Sequence, residues 1–175
     1  MTMYQGKKII AHVGTHGTGK TTSVFNHAAL LSGQFPNKKI GVIPEMARYC
    51  PFPINKEQHR DTFSWLFSTQ MFSELEASLT YDLCVSDRSV FDPIAYTNII
   101  NPSISTIHHV NLALDHYHRH YQKIILHKAS SIHGVVADGF RDTDPALRLR
   151  VENQLISLLT DCGIDFETVH YVPSI

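Results

Sequence analysis

Residues 14–21 read Gly-Thr-His-Gly-Thr-Gly-Lys-Thr, the complete spacing GxxxxGK[ST]. An apolar run precedes them and a helical stretch follows, which is the context a phosphate-binding loop requires. The glycines let backbone N–H groups turn toward a phosphate with no Cβ in the way. The N-terminus of the following helix adds a favourable dipole. Gly14, His16, Gly17, Thr18, Gly19, Lys20, Thr21 and Thr22 are therefore the candidate nucleotide-binding residues. Lys20 is placed to reach the β- and γ-phosphates, and the Thr21 hydroxyl to bind Mg²⁺. The chemistry this predicts is that of a nucleoside triphosphate held with Mg²⁺. The loop alone does not separate a kinase from a switch GTPase or an ATPase motor.

The elements that must position this loop alternate regularly. Apolar β-type runs lie at 8–13, 39–44, 83–86, 123–127 and 166–172. Helical stretches lie at 21–31, 56–81, 91–100, 107–121 and 145–162, the longest carrying Phe63, Leu66, Phe67, Met71, Leu75 and Leu79 at helical spacing. Gly163 fits the C-cap of the last helix. The segment 129–143 has little periodicity and reads as a loop. Alternation of this kind predicts an α/β fold, three layers deep, with a five-stranded parallel sheet, in one domain spanning 1–175. Ligands of such sheets sit outside the carboxyl ends of the strands. Gly14, Glu45 and Asp87 each follow a strand directly.

The loop GTHGTGKTT, then PEMAR after the second strand, a helix bearing Gln70, and SDRSVFDPIAYT after the third strand occur in an order that resembles the small P-loop nucleoside and nucleotide kinases. The nearest likeness is to the AAA_28-type group, which includes a nicotinamide riboside kinase domain. Deoxynucleoside kinases and phage kinases that phosphorylate hydroxymethylated pyrimidines in DNA share the layout. The thymidylate kinase motif DR(Y/H)xxSxxAYQ is matched in part, at Asp87-Arg88 and Ala95-Tyr96, and departed from at Ser89, Asp92 and Thr97.

The resemblance implies a P-loop kinase fold and an ATP- and Mg²⁺-dependent transfer of the γ-phosphate to a nucleoside or nucleoside monophosphate. It implies Glu45 as base toward the acceptor hydroxyl and Asp87 as a metal-organising acid; which of the two takes which role stays open, and Asp87 also suits a helix N-cap. Arg88 would contact the acceptor or the transferring phosphate. Arg48 would bind an acceptor phosphate or pair with an acid, and Gln70 would recognise a base in bidentate fashion. Phe67, Phe72 and Tyr96 are candidates for stacking on a base, against the alternative of core packing. A lid is expected at about 129–145, with Arg141 closing over the triphosphate and Arg148 next in line; Arg148 and Arg150 read equally well as solvated helix charges. Asp142 and Asp144 would cap the helix.

Composition narrows the partners. The chain has 175 residues, 43% hydrophobic and 18% charged, with 15 Lys and Arg against 16 Asp and Glu. A net charge of -1 argues against gripping long nucleic acid by charge alone, so a small nucleoside-like acceptor comes first and a DNA acceptor is the alternative. No apolar run can span a bilayer, and the polar start does not read as a signal peptide. Cys50, Cys84 and Cys162 are odd in number without a CxxC, which favours reduced thiols, a cytoplasmic location and no zinc knuckle. A homodimer is an open alternative. A nucleotide switch or ATPase with no acceptor is the rival class; the NKxD guanine motif is absent, and a motor would need a helical subdomain.

The 12 histidines are a compositional excess, and a pH-sensitive activity near pH 6–7 follows if several lie near the site. His116 and His120 are i and i+4, a spacing that can ligate zinc, but neither HExxH nor a third ligand is evident. They read as a surface helix, as do His108 and His109.

Overall fold

The computed structural model describes residues 6–54, 57–129 and 144–170. Five strands, β1 (Ile9–Val13), β2 (Ile40–Ile43), β3 (Leu83–Asp87), β4 (Tyr121–Lys128) and β5 (Glu167–His170), form one sheet in the order β2-β3-β1-β4-β5. Every pairing is parallel. Five α-helices connect them: α1 (Lys20–Gln34), α2 (Arg60–Thr80), α3 (Phe91–Ile100), α4 (Ile107–His120) and α5 (Pro145–Asp161), with a 3₁₀ turn at Met46–Tyr49.

The central strand β1 is buried at all five positions, as expected of a parallel strand covered on both faces. Val24, Ala28 and Leu31 lie on one stripe of α1 and pack with Ile10, Val85 and Ile125 on one face of the sheet. The other face carries the larger core, with Phe63 and Phe67 of α2, Phe91 and Ile94 of α3, Ala113 of α4 and Leu155 and Leu159 of α5 against Ile9, Ala11, Ile124 and Leu126. Among the described residues the three layers are thus unequal: one α-helix on one side, four on the other.

The chain leaves β1 toward β2 on one side of the sheet and returns later to β4 on the other. The turning point lies between β1 and β3, where an open α/β sheet forms its ligand crevice. Gly14 follows β1, Asp87 ends β3, and Glu45 lies two residues past β2, so all three stand at the carboxyl edge.

The expected elements are present with shifted ends. The long helix starts at Arg60, capped by His59, whose side chain accepts from the Asp61 N–H. β4 starts at Tyr121, directly after α4, where the helical pattern was expected to continue. Asp144 caps α5, accepting from the Ala146 N–H at 2.9 Å, and Gly163 takes the left-handed conformation (φ 66°) that ends it. The core of the expected lid, with Arg141 and Asp142, lies outside the described residues.

Candidate active site

The phosphate loop is built on a glycine that no other residue can replace. Gly14 has φ 134°, and a Cβ there would stand 2.5 Å from the carbonyl oxygen of His127 on β4. Gly19 (φ 73°) lies immediately before α1, so Lys20 and Thr21 occupy its first turn, where N–H groups have no partner within the helix. Lys20 is 5% exposed; its Nζ donates to the Thr15 carbonyl at 2.5 Å and to Thr18 Oγ1 at 3.2 Å. Burial, then the nearby Arg88 charge, pull its pKa down to about 7 against the opposing pull of Asp87 and Glu45. A bound polyphosphate would supply the missing counter-charge.

A cleft of about 500 Å³ runs along this loop, lined by residues 16–22, Glu45, Arg48, Asp87 and Arg88. At its floor the Thr21 hydroxyl donates to Asp87 Oδ2 at 2.6 Å. Asp87 Oδ1 is buried with no hydrogen-bond partner among the described residues. A hydroxyl and a carboxylate with an orphaned oxygen form a hard-oxygen donor pair that fits Mg²⁺. Thr21 and Asp87 are the residues that would hold it.

Arg88 sits at the centre of the site with φ 96°, a left-handed conformation unusual for a residue with a side chain. Its Nε and Nη2 both reach Glu45 Oε1, at 2.8 and 2.7 Å, while Nη1 donates to the Gly14 carbonyl at 3.0 Å and meets Asp92 Oδ1 at 3.2 Å. Glu45 is 8% exposed and is not a solvated carboxylate; its other oxygen pairs with Arg48 Nε at 3.2 Å. Arg48 lies on the phosphate-loop side of Glu45 and does not line the neighbouring cleft.

That second cleft, of about 670 Å³, opens on the far side of Glu45 and Arg88. Met46, Ala47, Ile54, Leu66 and Pro93 give it apolar walls; Gln58, Gln70, Asp92 and Tyr96 give it polar ones. His16, Glu45 and Arg88 line both clefts. Of the aromatic candidates, Tyr96 faces this cleft, Phe67 belongs to the core and Phe72 is exposed on the outside of α2. The His16 N–H, expected to face phosphate, donates to the Tyr96 hydroxyl at 3.0 Å.

Three groups of residues stand in places that the sequence did not give them. Asp92 is 1% exposed and binds the turn together: it accepts from Gly14 N at 3.3 Å and from Ser89 N and Oγ at 2.8 Å. Its signal was the Ser89-x-x-Asp92 spacing of a capping box. Arg148 is buried; its Nε donates to the His16 carbonyl at 3.2 Å and its Nη2 to that of Gly17 at 3.5 Å, whereas Arg150 is exposed. Last, His116 and His120 are buried at 2% and 4% exposure and do not form a surface helix face. His116 Nε2 is 2.7 Å from Glu74 Oε2, an acid that shares the buried stripe of α2 with Phe63, Phe67 and Gln70. His109 is half-buried, edge-on to Phe63 and Phe67, while His108 is exposed as expected. Among the described residues no cluster of three His, Cys, Asp or Glu could hold a metal ion.

A parallel sheet whose central strand runs into a glycine loop and a helix N-terminus, with an acid ending the adjacent strand, defines a P-loop nucleotide-binding protein. The AAA_28 family model, described as an AAA domain, matches residues 9–172, and the chain belongs to that family. Its fold is that of small P-loop kinases. A crystal structure of thymidylate kinase from Ehrlichia chaffeensis is similar with a TM-score of 0.69 and 14% identity, over 94% of this chain and 93% of that one. Structures of NadR protein, one in complex with NAD and AMP-PNP and one with NR, are similar with TM-scores of 0.66 and 0.67 and identities of 14% and 16%. They are matched over 93% of this chain but 44% and 45% of theirs, so the chain spans less than half of NadR. No curated protein sequence matches the chain. Among the described residues no helix is long and apolar enough to cross a membrane.

Proposed function

We propose that the protein is an ATP- and Mg²⁺-dependent kinase whose acceptor is a nucleoside-like molecule that carries no phosphate of its own. The observation that carries this reading is the pair of clefts meeting at Glu45 and Arg88. One side is a phosphate cradle. The other is a largely apolar cleft whose described charged residues are two acids, Glu45 and Asp92, and one cation, Arg88, already paired to both. A monophosphate there would face an excess of negative charge.

Lys20 and the loop amides hold the triphosphate, and Thr21 and Asp87 hold the magnesium. Bound Mg²⁺ supplies neutralisation of the phosphate charge. Glu45 accepts the proton of the acceptor hydroxyl as that oxygen bonds to the γ-phosphorus. The bond from the γ-phosphorus to its bridging oxygen breaks, and ADP leaves with that electron pair. Arg88 stands between the clefts, where the transferred group passes. Arg141 enters on sequence grounds as the arginine of a lid. Free thiols at Cys50, Cys84 and Cys162 suit a cytoplasmic enzyme.

The test is transfer of labelled γ-phosphate from Mg²⁺-ATP to a panel of nucleosides including nicotinamide riboside, their monophosphates, and duplex DNA with and without hydroxymethyluracil. Label on a free nucleoside is expected, falling at least about a hundredfold in Lys20→Ala. Label on monophosphates or DNA alone overturns the acceptor class. Phosphate released to water with no labelled acceptor makes the protein an ATPase.

A further inference from the structure

Gln70 stands in the wall of the acceptor cleft, 2% exposed. Its Nε2 donates to Glu74 Oε1 at 2.8 Å and to Ser86 Oγ at 3.1 Å, with the Arg88 carbonyl oxygen at 3.4 Å. A carboxamide nitrogen has two N–H bonds, so both are consumed inside the protein. The partners also fix which way the amide points. A carboxylate and a backbone carbonyl only accept, and an amide oxygen turned toward them would face acceptors alone. Oε1 is what remains for the cleft.

Glu74 is itself held from behind. It is fully buried, and it takes a hydrogen bond from the Tyr121 hydroxyl, 2.8 Å from each carboxylate oxygen, besides those to His116 and Gln70. The Tyr121 oxygen in turn accepts from the Val90 N–H at 3.1 Å. Burial, then the Glu74 carboxylate, hold the Tyr121 phenol well above its ordinary range, so it stays a donor. Rotating the Gln70 amide would break a charge-assisted bond in a dry site and set oxygen against oxygen.

We infer that Glu74, His116 and Tyr121 are positioning residues that lock the Gln70 carboxamide, so that the cleft selects acceptors offering an N–H or amino donor at Gln70 over acceptors offering only a carbonyl or carboxylate there. The inference rests on the kinase reading, since it takes the occupant of this cleft to be the phosphoryl acceptor. It replaces the two-sided base contact implied by the sequence resemblance with a one-sided one.

Two measurements separate it from that reading. The first needs no turnover: amide proton exchange of the Gln70 side chain by NMR on the full chain, the signal assigned by its loss in Gln70→Met. The lock predicts exchange at least about tenfold slower than for the exposed Gln34 and Gln122, and faster exchange in Glu74→Gln, whose amide can donate to a rotated Gln70. Exchange of Gln70 as fast as that of the exposed glutamines overturns the lock, whether or not the protein is a kinase. The second is kcat/KM on three matched pairs whose second members carry no N–H on the base: adenosine and purine riboside, cytidine and pyrimidin-2-one riboside, nicotinamide riboside and nicotinic acid riboside. In each pair that is phosphorylated, the amino-bearing member is expected to lead by about tenfold or more. That ratio should collapse in Gln70→Met and Glu74→Gln, and shrink in the milder Tyr121→Phe, with the KM for ATP moving less than about twofold. Equal efficiency in the wild type, or an unchanged ratio in a folded Glu74→Gln, overturns the selectivity. No transfer to any of the six overturns the selectivity and leaves the NMR result to decide the lock, while the wider panel above decides whether the protein is a kinase.

Discussion

Arg88 shows how much one residue is asked to hold. Its left-handed backbone costs on the order of 1–3 kcal/mol. That strain persists because its N–H donates to the His12 carbonyl at 2.9 Å and its guanidinium ties Glu45, the Gly14 carbonyl and Asp92 into one unit. Burial opposes its charge, but Glu45, Tyr96, Asp92 and Asp87 outweigh burial and hold its pKa well above the usual range. Both Arg88→Ala and Arg88→Gly should lose transfer by about a hundredfold or more. Their stabilities should differ. Each removes the buried cation that Glu45 and Asp92 share, a loss of about 3–5 kcal/mol, and leaves Glu45 only its half-exposed pair with Arg48. Only glycine relaxes the backbone, so Arg88→Gly should be the more stable of the two by about 1 kcal/mol in urea unfolding. Equal stability would remove the argument from strain. The residues named in advance, Lys20, Glu45, Asp87 and Arg88, were legible because a motif or a strand end marks each one. Glu74, His116 and Tyr121 were not, because their partners lie 42 and 47 positions away in sequence. The trace they left was an acid on the apolar stripe of α2.

Among the elements, α5 reaches farther into the site than its pattern suggested. Arg148 and Arg150 look alike in a list of charges, and only the phase of the helix against its neighbours separates them. Leu147, Val151, Leu155 and Leu158 turn inward, carrying Arg148 and Glu152 to the loop end of the sheet. Arg148 then supports the outer rim of the phosphate loop through two carbonyls, while Glu152 accepts from the Ala129 N–H at 2.5 Å where the chain leaves β4. Arg148→Ala should raise the KM for ATP by about tenfold, with a smaller effect on kcat. Arg148→Lys should rescue little, since a point charge cannot span two carbonyls as a planar fork does. Arg150→Ala should change either parameter by less than about twofold. Steady-state kinetics of the three variants decide it, and an unaltered KM in Arg148→Ala would free α5 from this role. Element types were readable from periodicity, but ends were not: Tyr121 passes from helix to strand without a turn, so nothing punctuates the change.

At the scale of the whole molecule, the excess of histidine resolves into placement. Strand order is not written in local pattern, yet a central parallel strand buries both its faces, and that rule assigns His12 and His127 to the interior once β1 and β4 are neighbours. They lie on the face that α1 covers. His12 Nδ1 is 2.7 Å from His127 Nε2, and His12 Nε2 is 3.0 Å from Nδ1 of His27 on α1. Burial, then the His127 and His27 rings, push His12 down to about 3; burial, then the Lys20 charge, push His127 to about 4. Lys20, Lys123 and Glu167 are the charged groups that act on this chain of rings. Both histidines are therefore neutral in the folded protein across pH 6–7, and a pH effect on activity in that range is not theirs. Their effect falls on stability, and its sign follows from proton counts. Above the unfolded value of about 6.5 neither state binds protons at these positions and nothing changes. Below it the unfolded chain takes up protons that the folded chain refuses until pH falls to about 4 and then about 3. Unfolding free energy should thus fall with decreasing pH from about 6.5, by up to about 1.4 kcal/mol per pH unit for each histidine. Carboxylates add their own slope at the acid end, so the comparison that isolates the histidines is His127→Leu, whose slope between pH 5 and 6.5 should be shallower by close to one proton. Urea unfolding at three or four pH values measures both proteins. A wild-type free energy that stays level from pH 7 to pH 5 would mean that the buried histidines accept protons in place, and that the face under α1 is wetter than its packing implies.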